Sequence, residues 1–248
     1  MRAPGAGDTP PGRATRGVSE QFSRRRPEET PIYAELADRL QTALGVRDAV
    51  GVRIVRDESE VASAESAAAS CVHWSTVLTG GHAQRTAARD HAACSVGSYV
   101  HGMSTLEQAG AGDDTATLVA AGWVEPSALE SLPTLEEGSL GIDYLPLREI
   151  THEPDLVLLA LTPEQLMAVQ EAIPALLLTG KPQCQIVPLA AAGTPCASLG
   201  CAVSRARTQA APSQMTCALP TAVLVEAIGA LEAAVAADQI VAEAVRES

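Results

Sequence analysis

The stretch CASLGCAVSR (196–205) sets two cysteines five positions apart, with a glycine just before the second and an arginine four residues after it. Thiolates are soft metal ligands and nucleophiles, and a guanidinium can clamp a carboxylate or phosphate bidentately. The chain has six cysteines, Cys71, Cys94, Cys184, Cys196, Cys201 and Cys217, and none makes a CxxC pair. That spacing argues against a zinc finger or a thioredoxin-type motif. CVHW (71–74) and HAAC (91–94) add imidazoles, so Cys71, His73, His91 and Cys94 form one possible Cys2His2 set. His91 is an acid–base candidate because it lies three residues from Cys94 and imidazole titrates near neutral pH. Arg205 is the candidate anion clamp or proton donor. The alternative for any single cysteine is packing as a small buried hydrophobe. Cys94, Cys184 and Cys201 lie in turn-rich polar stretches, where ligands from distant segments converge. His82 and His152 read as surface residues, and His101 in YVHGM as a hydrogen-bonded core histidine.

The elements that must position these groups are partly readable. Thr30 and Pro31 form a helix start, and Ile32, Leu36, Leu40 and Leu44 then repeat every four residues up to Gly45, a stop signal. AVGVRIV (49–55) reads as a strand, and ESEVASAESAAAS (58–70) as a helix running into Cys71. SVGSYVHGM (95–103), LVAAGWVEP (118–126) and LGIDYLPL (140–147) read as short strands or turns. DLVLLAL (155–161) is a continuous apolar strand, and TPEQ (162–165) supplies a capping box with Pro at the first helical position. That helix runs to Ile173, before Pro174. Residues 179–220 hold four of the six cysteines in a Gly-, Pro-, Thr- and Ser-rich stretch, and 221–247 reads as a long alanine-rich helix. The pattern predicts an α+β fold: a single mixed domain over 29–248, with a short mixed sheet, flanking helices and a long C-terminal helix. Residues 1–28 are expected to form a disordered tail.

Composition narrows the function classes. Residues 1–28 carry six arginines against Asp8, Glu20 and Glu28, a balance of +3, so residues 29–248 carry −16 of the total −13. Such a body repels phosphate backbones, and aromatics at 2% leave few stacking platforms, so no nucleic-acid partner is expected. No apolar run approaches the roughly 20 residues that span a bilayer, and no signal-peptide apolar region follows the arginines. A cytoplasmic protein with no membrane partner is the expectation, and in that compartment cysteines serve as ligands, reactive thiols or core residues. GxGxxG after a strand, a P-loop, HExxH and GxSxG are missing.

In order, YAELADRLQTALGV, CVHW, HAACSVG, YLPL, PDLVLLALTPEQLM, PQC and SLGCAVSR resemble the domain of unknown function 169 family over about residues 31–240. SLGCxxSR is the most distinctive of these motifs. The resemblance implies four family cysteine positions, which fall on Cys71, Cys94, Cys184 and Cys201, with Arg205 ending the last motif; Cys196 and Cys217 match none. The chain departs from the family after the second cysteine, where Ser95, Val96 and Gly97 replace a frequent Pro-Gly-Gly. It departs again after the fourth, where Ala202 and Val203 replace a frequent Asp-Gly.

Four such thiolates suit a [4Fe–4S]-type cluster or Zn2+. With 22, 89 and 16 residues between successive members, the set favours the cluster, since structural zinc usually staples cysteines two to four apart. The expectation is an iron–sulfur protein doing redox or Lewis-acid chemistry on a small-molecule metabolite, with His91 or Arg205 assisting. Two alternatives stay open: a non-catalytic zinc or small-ligand binding protein, and a thiol enzyme without metal.

Overall fold

The computed structural model describes residues 32–61, 67–136 and 138–247. The expected tail and the Thr30–Pro31 helix start lie outside them.

Helix α1 (Ile32–Leu44) buries Leu36, Ala37, Leu40 and Leu44 and ends where Gly45, at φ +68°, donates its N–H to the Gln41 carbonyl at 2.9 Å. Strand β1 (Val50–Val55) follows. Helix α2 (Ser70–Gly80), strand β2 (Gln84–Ala87) and the short helices α3 (Ser95–Val100), α4 (Leu106–Gly110) and α5 (Asp113–Ala120) separate β1 from β3 (Gly141–Pro146). Next come β4 (Leu156–Leu161), α6 (Pro163–Ala172), β5 (Leu177–Thr179), α7 (Ile186–Ala191), β6 (Cys196–Ser198), α8 (Ala202–Thr208), β7 (Met215–Pro220) and α9 (Thr221–Glu247).

One mixed sheet runs in the order β2-β3-β1-β4-β7-β6-β5. Every pair is antiparallel except β5 with β6. Period-two alternation splits its side chains between two cores. Val157, Leu159 and Leu161 of β4, with Cys217 and Leu219 of β7, pack against α1, α6 and α9. Leu156 and Leu158, with Val50, Val52 and Ile54 of β1, face the layer that carries α2, α3 and α7. Because β4 is buried on both faces, its sequence is a continuous apolar run instead of an alternating one.

The TPEQ capping box forms as expected: Thr162 Oγ1 accepts from Gln165 N at 3.3 Å, and Gln165 Oε1 accepts from Thr162 N at 2.7 Å. Gln165 Nε2 also donates to the Leu44 carbonyl at 2.6 Å, which fixes the start of α6 to the end of α1. In α9, Leu224, Ile228, Leu231 and Ala234 recur at helical spacing on one buried stripe. The α+β class, the mixed sheet, the flanking helices and the long C-terminal helix are as the sequence predicts.

The regions around the cysteines differ from expectation. ESEVASAESAAAS is not a described helix ending at Cys71: Glu58–Glu60 form one 3-10 turn, 67–69 have no regular structure, and α2 starts at Ser70. Cys71 therefore stands in a first helical turn. SVGSYVHGM forms α3 with His101 as its C-cap, and LVAAGWVEP contains the end of α5 and a turn. The polar 179–220 segment contains α7, β6, α8 and β7. Among the described residues no helix is long and apolar enough to cross a membrane.

Candidate functional site

Four helix starts meet over one face of the sheet, and each brings a sulfur. Cys71 is the second residue of α2, and Cys184 lies in the 3-10 turn Gln183–Gln185 that runs into α7. Cys94 is the N-cap of α3, its Sγ accepting from Gly97 N at 3.4 Å. Cys201 is the N-cap of α8, its Sγ accepting from Ser204 N at 3.3 Å, while Ser204 Oγ accepts from Cys201 N at 3.1 Å. Helix N-termini carry unpaired N–H groups and partial positive charge.

All four sulfur-bearing residues line one cavity of about 290 Å3. Ser70, Gln183, Ser204, Asp114 and Arg207 share its wall, and Val96, Leu118, Trp123, Pro182 and Val203 form its apolar side. Ser204 Oγ donates to Gln183 Oε1, and Gln183 Nε2 to Thr216 Oγ1, so the α8 start is tied to the Cys184 turn and to β7. Burial raises the Cys71 thiol to about 12, with Cys94 and Cys201 adding to the shift. Cys184 is pushed well up for the same reasons, burial first and then the other three cysteines. These two are thiols at neutral pH.

The other two cysteines lie elsewhere. Cys217 sits on the opposite face, in the α1, α6 and α9 core. Cys196 is on the site face but lies under α7, its Sγ donating to the Ile186 carbonyl at 3.4 Å. All six cysteines are free.

The histidines do not join the cavity wall. His91 is fully buried behind Ser70, with Nδ1 2.7 Å from Ser70 Oγ and Nε2 2.7 Å from Thr86 Oγ1. Thr86 Oγ1 gives its hydrogen to the Ile142 carbonyl at 2.6 Å, so His91 Nε2 carries a hydrogen of its own. Burial, then His101 and His73, holds the His91 imidazole well below its ordinary range. Both ring nitrogens are engaged, and His73 Nε2 donates to the Asp90 carbonyl at 3.1 Å, so the Cys71, His73, His91, Cys94 set does not form a metal centre. His101 Nδ1 is 2.8 Å from Ser70 Oγ, but its buried Nε2 has no hydrogen-bond partner. The Cys184 carbonyl nevertheless interacts with this ring, so His101 is a core histidine, as the sequence suggests. His82 and His152 are exposed.

Arg205 also lies off the cavity. Its guanidinium donates to the carbonyls of Leu199 at 3.0 Å, Ala211 at 3.0 Å and Gln214 at 2.8 Å, which pins the loops flanking α8. Residues two apart on a helix point to roughly opposite sides, and it is Arg207 that faces the cavity. Arg207 lies against the Cys94 sulfur, and its buried Nη1 has no hydrogen-bond partner. The arginine pair SRAR is visible in the sequence, but which member faces the sulfurs depends on the phase of α8.

Among the described residues no three His, Cys, Asp or Glu side chains are grouped closely enough to hold one metal ion. Tetrahedral zinc at about 2.3 Å from each sulfur requires sulfurs about 3.8 Å apart. The donor set is four thiols around one cavity, with N–H groups aimed at two of them.

An α+β domain whose four helix starts present cysteines to one cavity is the class that fold and site define. The model of domain of unknown function 169, described as uncharacterised ArCR, matches residues 39–229, and the chain belongs to this family. No curated protein and no solved structure matches it.

Proposed function

We propose that the protein binds a [4Fe–4S]-type cluster through Cys71, Cys94, Cys184 and Cys201 and uses it in redox or Lewis-acid chemistry on a small metabolite. The observation that carries the reading is the convergence of these four cysteines, each from the start of a different helix, on one cavity wall. Backbone N–H groups directed at Cys94 and Cys201 offset part of the negative charge of four thiolates. When bound, the cluster supplies an electron-transfer centre or an open iron able to polarise a substrate oxygen or sulfur. The chain's own residues shape the cavity: Trp123, Leu118 and Val203 exclude water, and Ser70 and Gln183, tied to His91, His101, Ser204 and Thr216, hold the wall in place.

Metal-free thiol chemistry is less well supported, because a reactive cysteine needs a lowered pKa and burial raises Cys71 and Cys184. Free thiols throughout suit a reducing, cytoplasmic setting, and the charge of −16 over residues 29–248 disfavours nucleic acid. Anaerobic purification followed by iron, acid-labile sulfide and zinc analysis tests the reading. About four irons and four sulfides per chain are expected. Stoichiometric zinc with no sulfide would replace the cluster, and an absence of bound metal would remove it.

A further inference from the structure

Arg207 projects from the end of α8 into the cysteine-lined cavity with part of its donor set unused. Its Nη1 is buried and makes no hydrogen bond. Asp114, the carboxylate that interacts with it electrostatically, is already committed to Ser95, accepting from its Oγ at 2.6 Å and its N at 3.0 Å. The guanidinium also meets the Cys94 sulfur as a hydrogen-bond acceptor, but a buried donor without an acceptor costs about 1–3 kcal/mol, so Nη1 calls for a further one. The surroundings narrow its chemistry. Val96, Leu118, Trp123, Pro182 and Val203 line the same chamber, so most of a ligand filling it must be apolar. One guanidinium balances one negative charge. A phosphate dianion would bring a second charge against apolar walls and the Asp114 carboxylate, which is unfavourable.

We propose that the cavity binds a small organic monocarboxylate, its carboxylate held by Arg207 and its apolar body packed against Val96 and Trp123. This places the ligand beside Cys94, the sulfur that Arg207 touches. The assignment rests on the preceding reading only in taking this cavity as the working site; the orphaned nitrogen is present whether or not metal is bound.

The test is calorimetric titration of the full-length, anaerobically purified protein with acetate, butyrate, hexanoate and benzoate. Hexanol and inorganic phosphate serve as controls, and iron and sulfide are measured on the same samples. At least one carboxylate should bind with one-to-one saturation, hexanol far more weakly, and phosphate should not displace the carboxylate. Arg207→Met should weaken carboxylate binding about tenfold or more, the loss expected for a charge-assisted hydrogen bond, when samples of matched iron content are compared. Arg207→Lys keeps the charge but not the fork and should lose about threefold; it decides the question if the methionine variant does not fold. No saturable binding by any of the four acids, equal affinity in wild type and variants, or displacement by equimolar phosphate would each overturn the proposal. So would a shifted cluster potential with unchanged carboxylate affinity, which would make the guanidinium a charge partner of the cluster alone. Carboxylate binding in a protein devoid of metal would sink the cluster reading and leave this one standing. Full iron without carboxylate binding would do the reverse.

Discussion

Cys94 and Cys201 occupy positions that helices ordinarily give to Ser, Thr, Asp or Asn, whose oxygens cap the first turn better than sulfur does. Serine at either position therefore separates folding from metal binding. Cys94→Ser and Cys201→Ser should keep or slightly raise the melting temperature of the metal-free protein while losing bound iron, which parallel melting and iron assays would check. Cys71→Ser and Cys184→Ser should lose the iron and also about 1–3 kcal/mol, because each puts a hydroxyl in a buried apolar place. Cys217→Ser should retain full iron at a similar cost in stability, since it lies across the sheet. Cys196→Ser should be milder, as its sulfur already donates to a carbonyl. Iron loss in the Cys217 or Cys196 variant would redraw the ligand set. At this scale the sequence alone did not separate these roles. The family resemblance singled out the four cysteines, but nothing local distinguished Arg207 from Arg205 or showed both nitrogens of His91 to be engaged.

Elements with strong local patterns were legible: the four-residue repeat of α1, the apolar run of β4, the capping box of α6 and the stripe of α9 all persist in the fold. The helices of the site were not legible, for a physical reason. α3 and α8 are only six and seven residues long, too short for an apolar period, and both begin on sulfur, which is not a recognised cap. The β2–β3 pair that backs the buried histidines offers a sharp test. A Cβ on Gly141 would fall 2.0 Å from the Thr86 carbonyl oxygen, a backbone atom that cannot step aside. Gly141→Ala should destabilise by about 3 kcal/mol, read from the urea midpoint. The histidines joined through Ser70 set an acid limit on stability. His101 is lowered to about 4 by burial, against an opposing contribution from the Cys184 carbonyl, whereas its unfolded value is near 6.5. A depressed folded pKa gives stability that is present above pH 6.5 and lost as pH falls through about 4, up to about 3 kcal/mol. His91 acts in the same direction. Urea midpoints at pH 7 and pH 5 should diverge in wild type, and the gap should narrow in His101→Leu, the remainder coming from His91.

Across the whole molecule, the sheet separates a stabilising layer of α1, α6 and α9 from the layer that carries the cavity. Because the four sulfurs come from segments spread over residues 71–201, a metal that binds only the folded chain stabilises all of it. Removing it with a chelator under anaerobic conditions should lower the melting temperature by about 5–15 °C, corresponding to 2–4 kcal/mol for a chain of this size. An unchanged melting temperature in samples shown to have lost iron would argue that the metal sits outside the fold's cooperative unit. The same topology has a consequence for how the protein is made. Cys71 and Cys94 lie between β1 and β3, whereas Cys184 and Cys201 lie between β4 and β7, and the central β1–β4–β7 pairing brings the two halves together. While the first half emerges from the ribosome only two sulfurs exist, and the other two reach the cavity once β7 has docked. If the proposed cluster is bound, its loading follows the docking of β7, and chains made in a cell short of iron should accumulate folded and empty, to be filled when supply returns.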